Sequence, residues 1–357
     1  MIEVRIFKRV VPRQDSAGFS LDIEFQAGSG VTALFGTAGA GKTLTFDTIA
    51  GFARPDSGRI MLDDRILFDA DSRVDLKPQQ RNCGYVLQDQ ALFPHMTLRE
   101  NLIFAAGHLP RLERHRRVKE MIDRFRLADV AGRRPREAST SEKQRCSMAR
   151  ALIAAPRLLL LDESAQGLAA PSRAEFYQLL REARSDFPIP ILLATGDLAG
   201  CFQVADQMLV LWDGRIAQSG TPQEVLEQPA TVDVARLLGI SNLFQAEITA
   251  LDPGRNTSRL RFQEHEITGM YFPGHLRGDR VWLCIRAGEL RVTGRNGARP
   301  EANQIPAKLL HVSEMPHSIR LEFSGAISVE LSRQEFEQQK DNKDWLVEFP
   351  PEALRVL

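Results

Sequence analysis

The chain lacks a net charge: across 357 residues, 46 Lys and Arg balance 46 Asp and Glu. No overall field therefore draws it to nucleic acid, and neither a basic arm nor an acidic tail stands out. It also lacks a hydrophobic run of about eighteen or more residues, the length a membrane-crossing helix needs. The opening Met1-Ile2-Glu3-Val4-Arg5 has no long apolar stretch behind a basic head, so a soluble, non-exported chain is expected. Cysteine is scarce. Cys83, Cys146, Cys201 and Cys284 lie far apart without a C-x-x-C pair, which argues against a zinc site or a disulfide framework and fits a reducing cytoplasm. No low-complexity segment or internal repeat stands out. The length suits one large domain plus a smaller one.

What is present is a phosphate-binding pattern. Gly36-Thr37-Ala38-Gly39-Ala40-Gly41-Lys42-Thr43 follows Val31-Thr32-Ala33-Leu34-Phe35, a β-branched and aromatic run that reads as a buried strand. Residues 42–50 read as a helix closed by Gly51. In a G-x-x-x-x-G-K-[ST] loop the glycines let backbone N–H groups wrap phosphate oxygens, the lysine neutralises β- and γ-phosphate charge, and the hydroxyl coordinates magnesium. Those roles fall to Gly36 and Gly41, to Lys42 and to Thr43. Leu158-Leu159-Leu160-Leu161-Asp162-Glu163 supplies an apolar strand ending in two carboxylates. Asp162 suits the magnesium shell, and Glu163 suits polarising an attacking water.

Further strands are expected at 158–161, 189–194 and 208–212, separated by helix-length segments, which predicts a mainly parallel α/β sheet. Asp213-Gly214 is a hairpin turn leading into Arg215-Ile216-Ala217, and Thr221-Pro222-Gln223-Glu224 opens a helix with a capping box. Residues 97–150 form a charged helical insertion, whose basic run at 111–119 reads as a solvated face. From about Ser241 the texture changes to short alternating runs at 280–285, 305–311 and 319–323. These predict a small all-β barrel, with Gly- and Arg-containing turns near 293–300.

This order of elements resembles the ABC ATPase superfamily. Cys83-Gly84-Tyr85-Val86-Leu87-Gln88-Asp89-Gln90 looks like its glutamine loop, which implies that Gln88 touches magnesium and the attacking water. The family's signature, Leu-Ser-Gly-Gly-Gln or Leu-Ser-Gly-Gly-Glu followed by Lys-Gln-Arg, reads Ala138-Ser139-Thr140-Ser141-Glu142-Lys143-Gln144-Arg145 here. Both glycines are replaced, and Ser139 remains as the phosphate contact, with an ordinary N-capped helix as the other reading. Ser164-Ala165-Gln166-Gly167-Leu168-Ala169 lacks the interface aspartate, and Gly196 stands where the switch histidine is usual. Asp197 is a poor substitute, since a carboxylate beside a triphosphate is repulsive. ATP is expected to bind better than it is hydrolysed.

The Gly-Ala-Gly-Lys-Thr form of the loop and the stretch 75–101 look like molybdate-import ATPase subunits, the ModC family. Residues 280–292 and Ile305-Pro306-Ala307-Lys308-Leu309-Leu310 are similar to that family's linker and to the first strand of its Mop-type module. The resemblance implies a P-loop NTPase of ABC type over 1–235, with a mixed sheet and a helical subdomain at about 89–150. A linker and first β segment follow over 236–293, then a Mop/OB-like oxyanion-binding β-domain over 294–357. In that domain the usual Ser-x-Arg-Asn-x-Leu reads Glu301-Ala302-Asn303-Gln304-Ile305-Pro306.

The function implied is MgATP binding and ATP-driven import of molybdate or tungstate. The implied assembly is a homodimer on permease subunits, peripheral to the cytoplasmic face of a bacterial inner membrane. A periplasmic oxyanion-binding protein would be an indirect partner, and molybdate or tungstate would bind the C-terminal domain. The alternatives are a hydrolysis-impaired regulatory or assembly protein and an ATPase subunit for another oxyanion such as sulfate. Phe7 and Phe19 are candidates for stacking on adenine.

Overall fold

The computed structural model describes residues 1–10, 18–294, 300–340, 342 and 344–357. The chain forms two compact units, Met1–Glu227 and Gln228–Leu357.

Apolar runs organise the first unit. Gly30–Phe35, Leu158–Asp162 and Pro190–Thr195 are buried at every position, as expected of strands covered on both faces. They belong to a six-stranded sheet in the order Arg215–Gly220, Gln207–Trp212, Gly30–Phe35, Pro190–Thr195, Leu158–Asp162 and Cys83–Val86. Only the first pair is antiparallel. Leu158 and Leu160 pack on one face with Phe46, Ile49 and Leu192, while Leu159 and Leu161 pack on the other with Leu102, Met121, Leu152 and Leu193.

The first of these faces is shared with an antiparallel sheet ordered Phe19–Ala27, Ile2–Val10, Ser57–Leu62, Arg65–Asp69 and Val74–Asp75. The sequence reading places no element before Val31, although Leu21, Ile23, Phe25 and Ala27 alternate as a half-buried strand should. The second face carries the helices Leu98–Ala105, Arg111–Arg124 and Thr140–Ile153. Only Val118, Met121 and Ile122 of the basic helix are buried, and Arg116 and Arg117 pair with Glu120 on its outer side.

The helix Lys42–Ala50 is anchored at its far end by Arg81, a fully buried arginine. Its guanidinium donates to the carbonyls of Thr48 and Ile49 at 2.7 and 2.9 Å and to Asp75 at 3.0 Å. A cation there satisfies orphan carbonyls and complements the negative end of the helix dipole.

The second unit holds three antiparallel sheets and two short α-helices, Val232–Leu237 and Arg333–Gln339, among the described residues. Asn242–Asp252, Thr257–Phe262, His265–Met270 and Arg280–Ile285 form one sheet with the terminal Arg355–Val356. The segment read as linker and first β segment thus shares a sheet with the chain's last strand. Phe244, Phe262, Leu283, Leu321, Val347 and Phe349 join all three sheets in one apolar core, giving a barrel-like domain.

The run expected as one strand over 305–311 is two, Gln304–Ala307 and Leu309–Glu314, in different sheets. The chain crosses between sheets at Lys308. Ile305 and Ala307 pair with Val347 and Trp345, whereas Leu309 pairs with Phe323. Of the turns expected near 293–300, residues 295–299 lie outside the described residues.

Asn303 ties this core together. Its amide nitrogen donates to the carbonyls of Thr268 and Phe349 at 2.6 and 2.7 Å, and its oxygen accepts from the N–H of Thr268 at 2.7 Å. Truncation strands buried backbone groups without partners. Asn303→Ala is therefore expected to cost about 2–4 kcal/mol, read as a lower urea midpoint by tryptophan fluorescence in a Trp212→Phe background, which leaves Trp282 and Trp345 of the second unit as the reporters, with unchanged nucleotide affinity in native buffer.

Candidate functional site

Residues 36–43 leave the buried strand Gly30–Phe35 and enter the helix Lys42–Ala50, so the positive end of that helix and its unpaired N–H groups face the loop. Two positions require glycine. Gly41 has φ +108°, and a Cβ there would lie 2.9 Å from the Phe19 ring. A Cβ on Gly36 would lie 2.5 Å from the Leu211 carbonyl oxygen. The backbone closes on itself through Ala40 N–H to Thr37 O and Gly36 N–H to Thr195 O, both 3.3 Å.

Lys42 is buried, with 6% of its surface exposed. Its ammonium donates to the carbonyls of Gly36 and Thr37 at 2.8 and 2.9 Å and pairs with Glu163 Oε1 at 3.0 Å. Glu163 sits just beyond the strand Leu158–Asp162 with φ +45°, an unusual backbone for a non-glycine residue, and its N–H donates to Ala194 O at 3.0 Å. That kink turns the carboxylate to the loop.

Asp162 is buried at the strand's carboxyl end, and its Oδ1 has no hydrogen-bond partner. Burial pushes its carboxyl above the usual aspartate range, opposed by the Thr43 hydroxyl and reinforced by the charges of Glu163 and Asp47. The Tyr85 hydroxyl lies 3.2 Å from Asp47 Oδ1 and 3.5 Å from Asp162 Oδ2. Burial raises the Asp47 carboxyl too, with the Tyr85 hydrogen bond pulling it down. Burial, then the charge of Asp162, raises the Tyr85 phenol. Sequence reasoning missed Asp47 and gave Tyr85 no role. The only available signal for Asp47 was a carboxylate on the helix that follows the loop.

A cavity of about 400 Å³ is lined by Ala38, Gly39, Gly41, Lys42, Thr43 and Leu44 together with Phe19, Gln88, Glu163 and Gln166. The structure thus brings Gln88 and Glu163 to the loop. Of the two candidate aromatics, Phe19 lines this cavity and Phe7 does not. Gln88 Nε2 donates to Gln166 Oε1 at 2.6 Å, a contact with no sequence signal beyond the unusual 164–169 segment.

Ser139 is not among the lining residues. It caps the helix Thr140–Ile153 by accepting from Glu142 N–H at 3.2 Å, while Glu142 accepts from its N–H at 2.7 Å. Gly196 adjoins the loop: a Cβ there would meet only the Gly36 carbonyl oxygen, at an ordinary 3.5 Å. Asp197 is committed elsewhere, with its Oδ2 accepting from the Tyr177 hydroxyl at 3.2 Å and pairing with Arg173 at 3.4 Å.

The family profile described as ABC transporter matches residues 20–166. The molybdenum import ATP-binding protein ModC of Rhodospirillum rubrum is 40% identical over 242 residues, which are 68% of this chain and 65% of that protein. The chain thus spans just under two thirds of that relative. The molybdate/tungstate import ATP-binding protein WtpC of Archaeoglobus fulgidus is 34% identical over 69% of this chain and 100% of that protein. The spermidine/putrescine import ATP-binding protein PotA of Vibrio cholerae is 33% identical over 76% and 71%. Among solved structures, a dimeric post-hydrolysis state of the ATP-binding cassette MJ0796, bound to ADP and Pi, has a TM-score of 0.54. It is 22% identical and covers 62% of this chain and 99% of that one, a likeness that establishes the fold.

Because its folded-state pKa is raised, Asp162 disfavours folding once ionised: the effect is absent below the ordinary value of 3.8 and grows as pH rises through the raised folded value. Asp162→Asn removes the charge at nearly constant shape. It should raise the melting temperature in metal-free buffer at pH 7, with the gain fading as pH falls towards 3.8; thermal unfolding across pH checks both.

Proposed function

The chain belongs to the ABC transporter ATP-binding family, in its molybdenum-import (ModC) type, and from that premise we propose that it binds MgATP as the energy-coupling subunit of an importer for molybdate or tungstate. One observation carries the reading. The buried ammonium of Lys42 sits within 3.0 Å of Glu163 at the mouth of the loop 36–43, joining a phosphate-neutralising cation and a candidate base in one cavity.

In this reading the loop Gly36-Thr37-Ala38-Gly39-Ala40-Gly41-Lys42-Thr43 cradles the phosphates through its backbone N–H groups other than those of Gly36 and Ala40, which donate to the Thr195 and Thr37 carbonyls, and Phe19 stacks on adenine. A γ-phosphate oxygen competes with the Gly36 and Thr37 carbonyls and with Glu163 for the Lys42 ammonium. Glu163 is thereby released to take a proton from water. The residues present fit Mg²⁺, because buried Asp162 Oδ1 has no partner and lies on a carboxylate beside the Thr43 hydroxyl. Thr43, Asp162 and Gln88 would hold the ion. When bound, it neutralises charge on the transferring phosphate.

The nucleotide-binding domain is assigned to 1–235 with its helical subdomain at about 89–150, the linker and first β segment to 236–293, and the oxyanion-sensing module to 294–357. Two copies would close on two ATP molecules, each offering Ser139 to the other's phosphate. Permease subunits at the cytoplasmic face of a bacterial inner membrane would take up the motion, and a periplasmic oxyanion-binding protein would deliver the substrate. Molybdate or tungstate at the second unit would report supply. No ligand role falls to Asn303, whose amide is committed to backbone.

A second reading, an ATP-binding regulatory or assembly subunit with impaired hydrolysis, is favoured by Gly196 and by Thr140 and Ser141 in the signature. Binding and turnover assays on the full chain separate the two. We expect MgATP binding with turnover at least about tenfold below a histidine-containing relative, a gap one lost transition-state contact explains. The space at Gly196 admits a side chain, so Gly196→His should raise turnover, and Glu163→Gln should abolish what remains while sparing binding. Turnover equal to that of an intact relative would exclude the impaired reading.

A further inference from the structure

The loop 164–169 carries a glutamine whose contact has no counterpart in the chemistry assigned so far. We propose that Gln166 is a positioning residue for Gln88, fixing which end of the Gln88 amide is available to the metal and the attacking water. The proposal rests on the ATP-site reading above and deepens it.

A primary amide presents an NH₂ donor and a carbonyl acceptor, and a hard cation accepts only the oxygen. Unrestrained, the Gln88 amide can turn either end to the cavity. Here Gln88 Nε2 donates to Gln166 Oε1 at 2.6 Å, which leaves Gln88 Oε1 as the end free for a cation. The backbone of Gln166 is itself held, which keeps its side chain beside Gln88. Its N–H donates to the main-chain carbonyl of Glu163 at 2.9 Å, so the residue that orients Gln88 is tied to the backbone of the residue whose carboxylate lines the same cavity. On the other side, Gln90 Nε2 donates to the Gln88 carbonyl at 3.3 Å and holds that loop.

The contact is solvent-exposed, so it contributes little to folding, and its effect lies in orientation. Outer partners that fix a ligand in this way commonly change metal affinity by about tenfold or more.

The test uses Mn²⁺ as the probe, titrated into the full chain saturated with a non-hydrolysable ATP analogue and followed by the electron paramagnetic resonance of free Mn²⁺. Gln88→Ala and Gln166→Ala should each weaken Mn²⁺ binding by about tenfold, and Gln166→Ala should leave affinity for the metal-free analogue at the wild-type value. The double variant should be no weaker than Gln88→Ala. Gln166→Glu, whose carboxylate is acceptor-only, should restore Mn²⁺ binding, and should have no effect in the Gln88→Ala background. Wild-type affinity in Gln166→Ala alongside a loss in Gln88→Ala overturns this proposal alone, as do additive losses in the double variant. If the wild type fails to bind the analogue, or Gln88→Ala leaves Mn²⁺ affinity unchanged, the ATP-site reading falls and the proposal falls with it.

Discussion

A lysine ammonium taken out of water needs partners for its charge and its protons, and much of the first unit is arranged around supplying them to Lys42. Two partners come from the loop itself, the carbonyls of Gly36 and Thr37, and the third is Glu163, just beyond the end of a strand two places along the sheet. This requires the loop to curl back over its own lysine, which Gly41 permits with φ +108° and Gly36 permits by its close approach to the Leu211 carbonyl. It also requires the strand Leu158–Asp162 to end within reach of the loop. Parallel pairing meets that need, because Asp162 lies opposite Ala194 and Thr195 lies opposite Phe35. The helix behind the lysine is held at its far end by Arg81, so both termini of Lys42–Ala50 are fastened.

The same compactness puts acidic groups where they are uncomfortable. Asp162 and Asp47 both have carboxyls raised by burial, and Tyr85 bridges between them. A fold optimised only for stability would replace such groups with neutral ones. Keeping an ionisable oxygen buried without a partner makes sense where a cation completes it, which is the role proposed for the unpartnered Asp162 Oδ1. The strained backbone at Glu163 has the same logic, since the left-handed turn that costs the chain energy also carries the carboxylate towards Lys42.

Much of this was legible in the sequence where one motif sufficed. The strand, loop and helix around residues 36–43 fall where the pattern puts them, because glycine spacing and an apolar run are local signals. Legibility failed where a structure is decided by partners far along the chain. The antiparallel sheet that begins before Val31 needed the pairing of Ile2–Val10 with both Phe19–Ala27 and Ser57–Leu62. The run 305–311 looks uniform, yet Val347 and Phe323 claim its two halves for different sheets. In the site, Asp47, Tyr85 and Gln166 carry no motif of their own. They matter because folding brings them to Asp162 and Gln88.

Gly196 shows how a missing side chain and a present one must be read together. From sequence, Asp197 could be imagined leaning into the space that Gly196 leaves beside the loop. Its carboxylate instead accepts from Tyr177 and pairs with Arg173, and its N–H is held by the Thr195 hydroxyl at 2.9 Å. Tyr177 in turn fills the space over Gly200, where a Cβ would overlap the phenol oxygen. The turn after the strand Pro190–Thr195 is thus pinned to the helix Ala170–Asp186 through Arg173 and Tyr177. At Gly196 the backbone adjoins the Gly36 carbonyl, and a Cβ added there would stand at an ordinary contact distance of 3.5 Å from it, so the turn has room for the side chain it lacks.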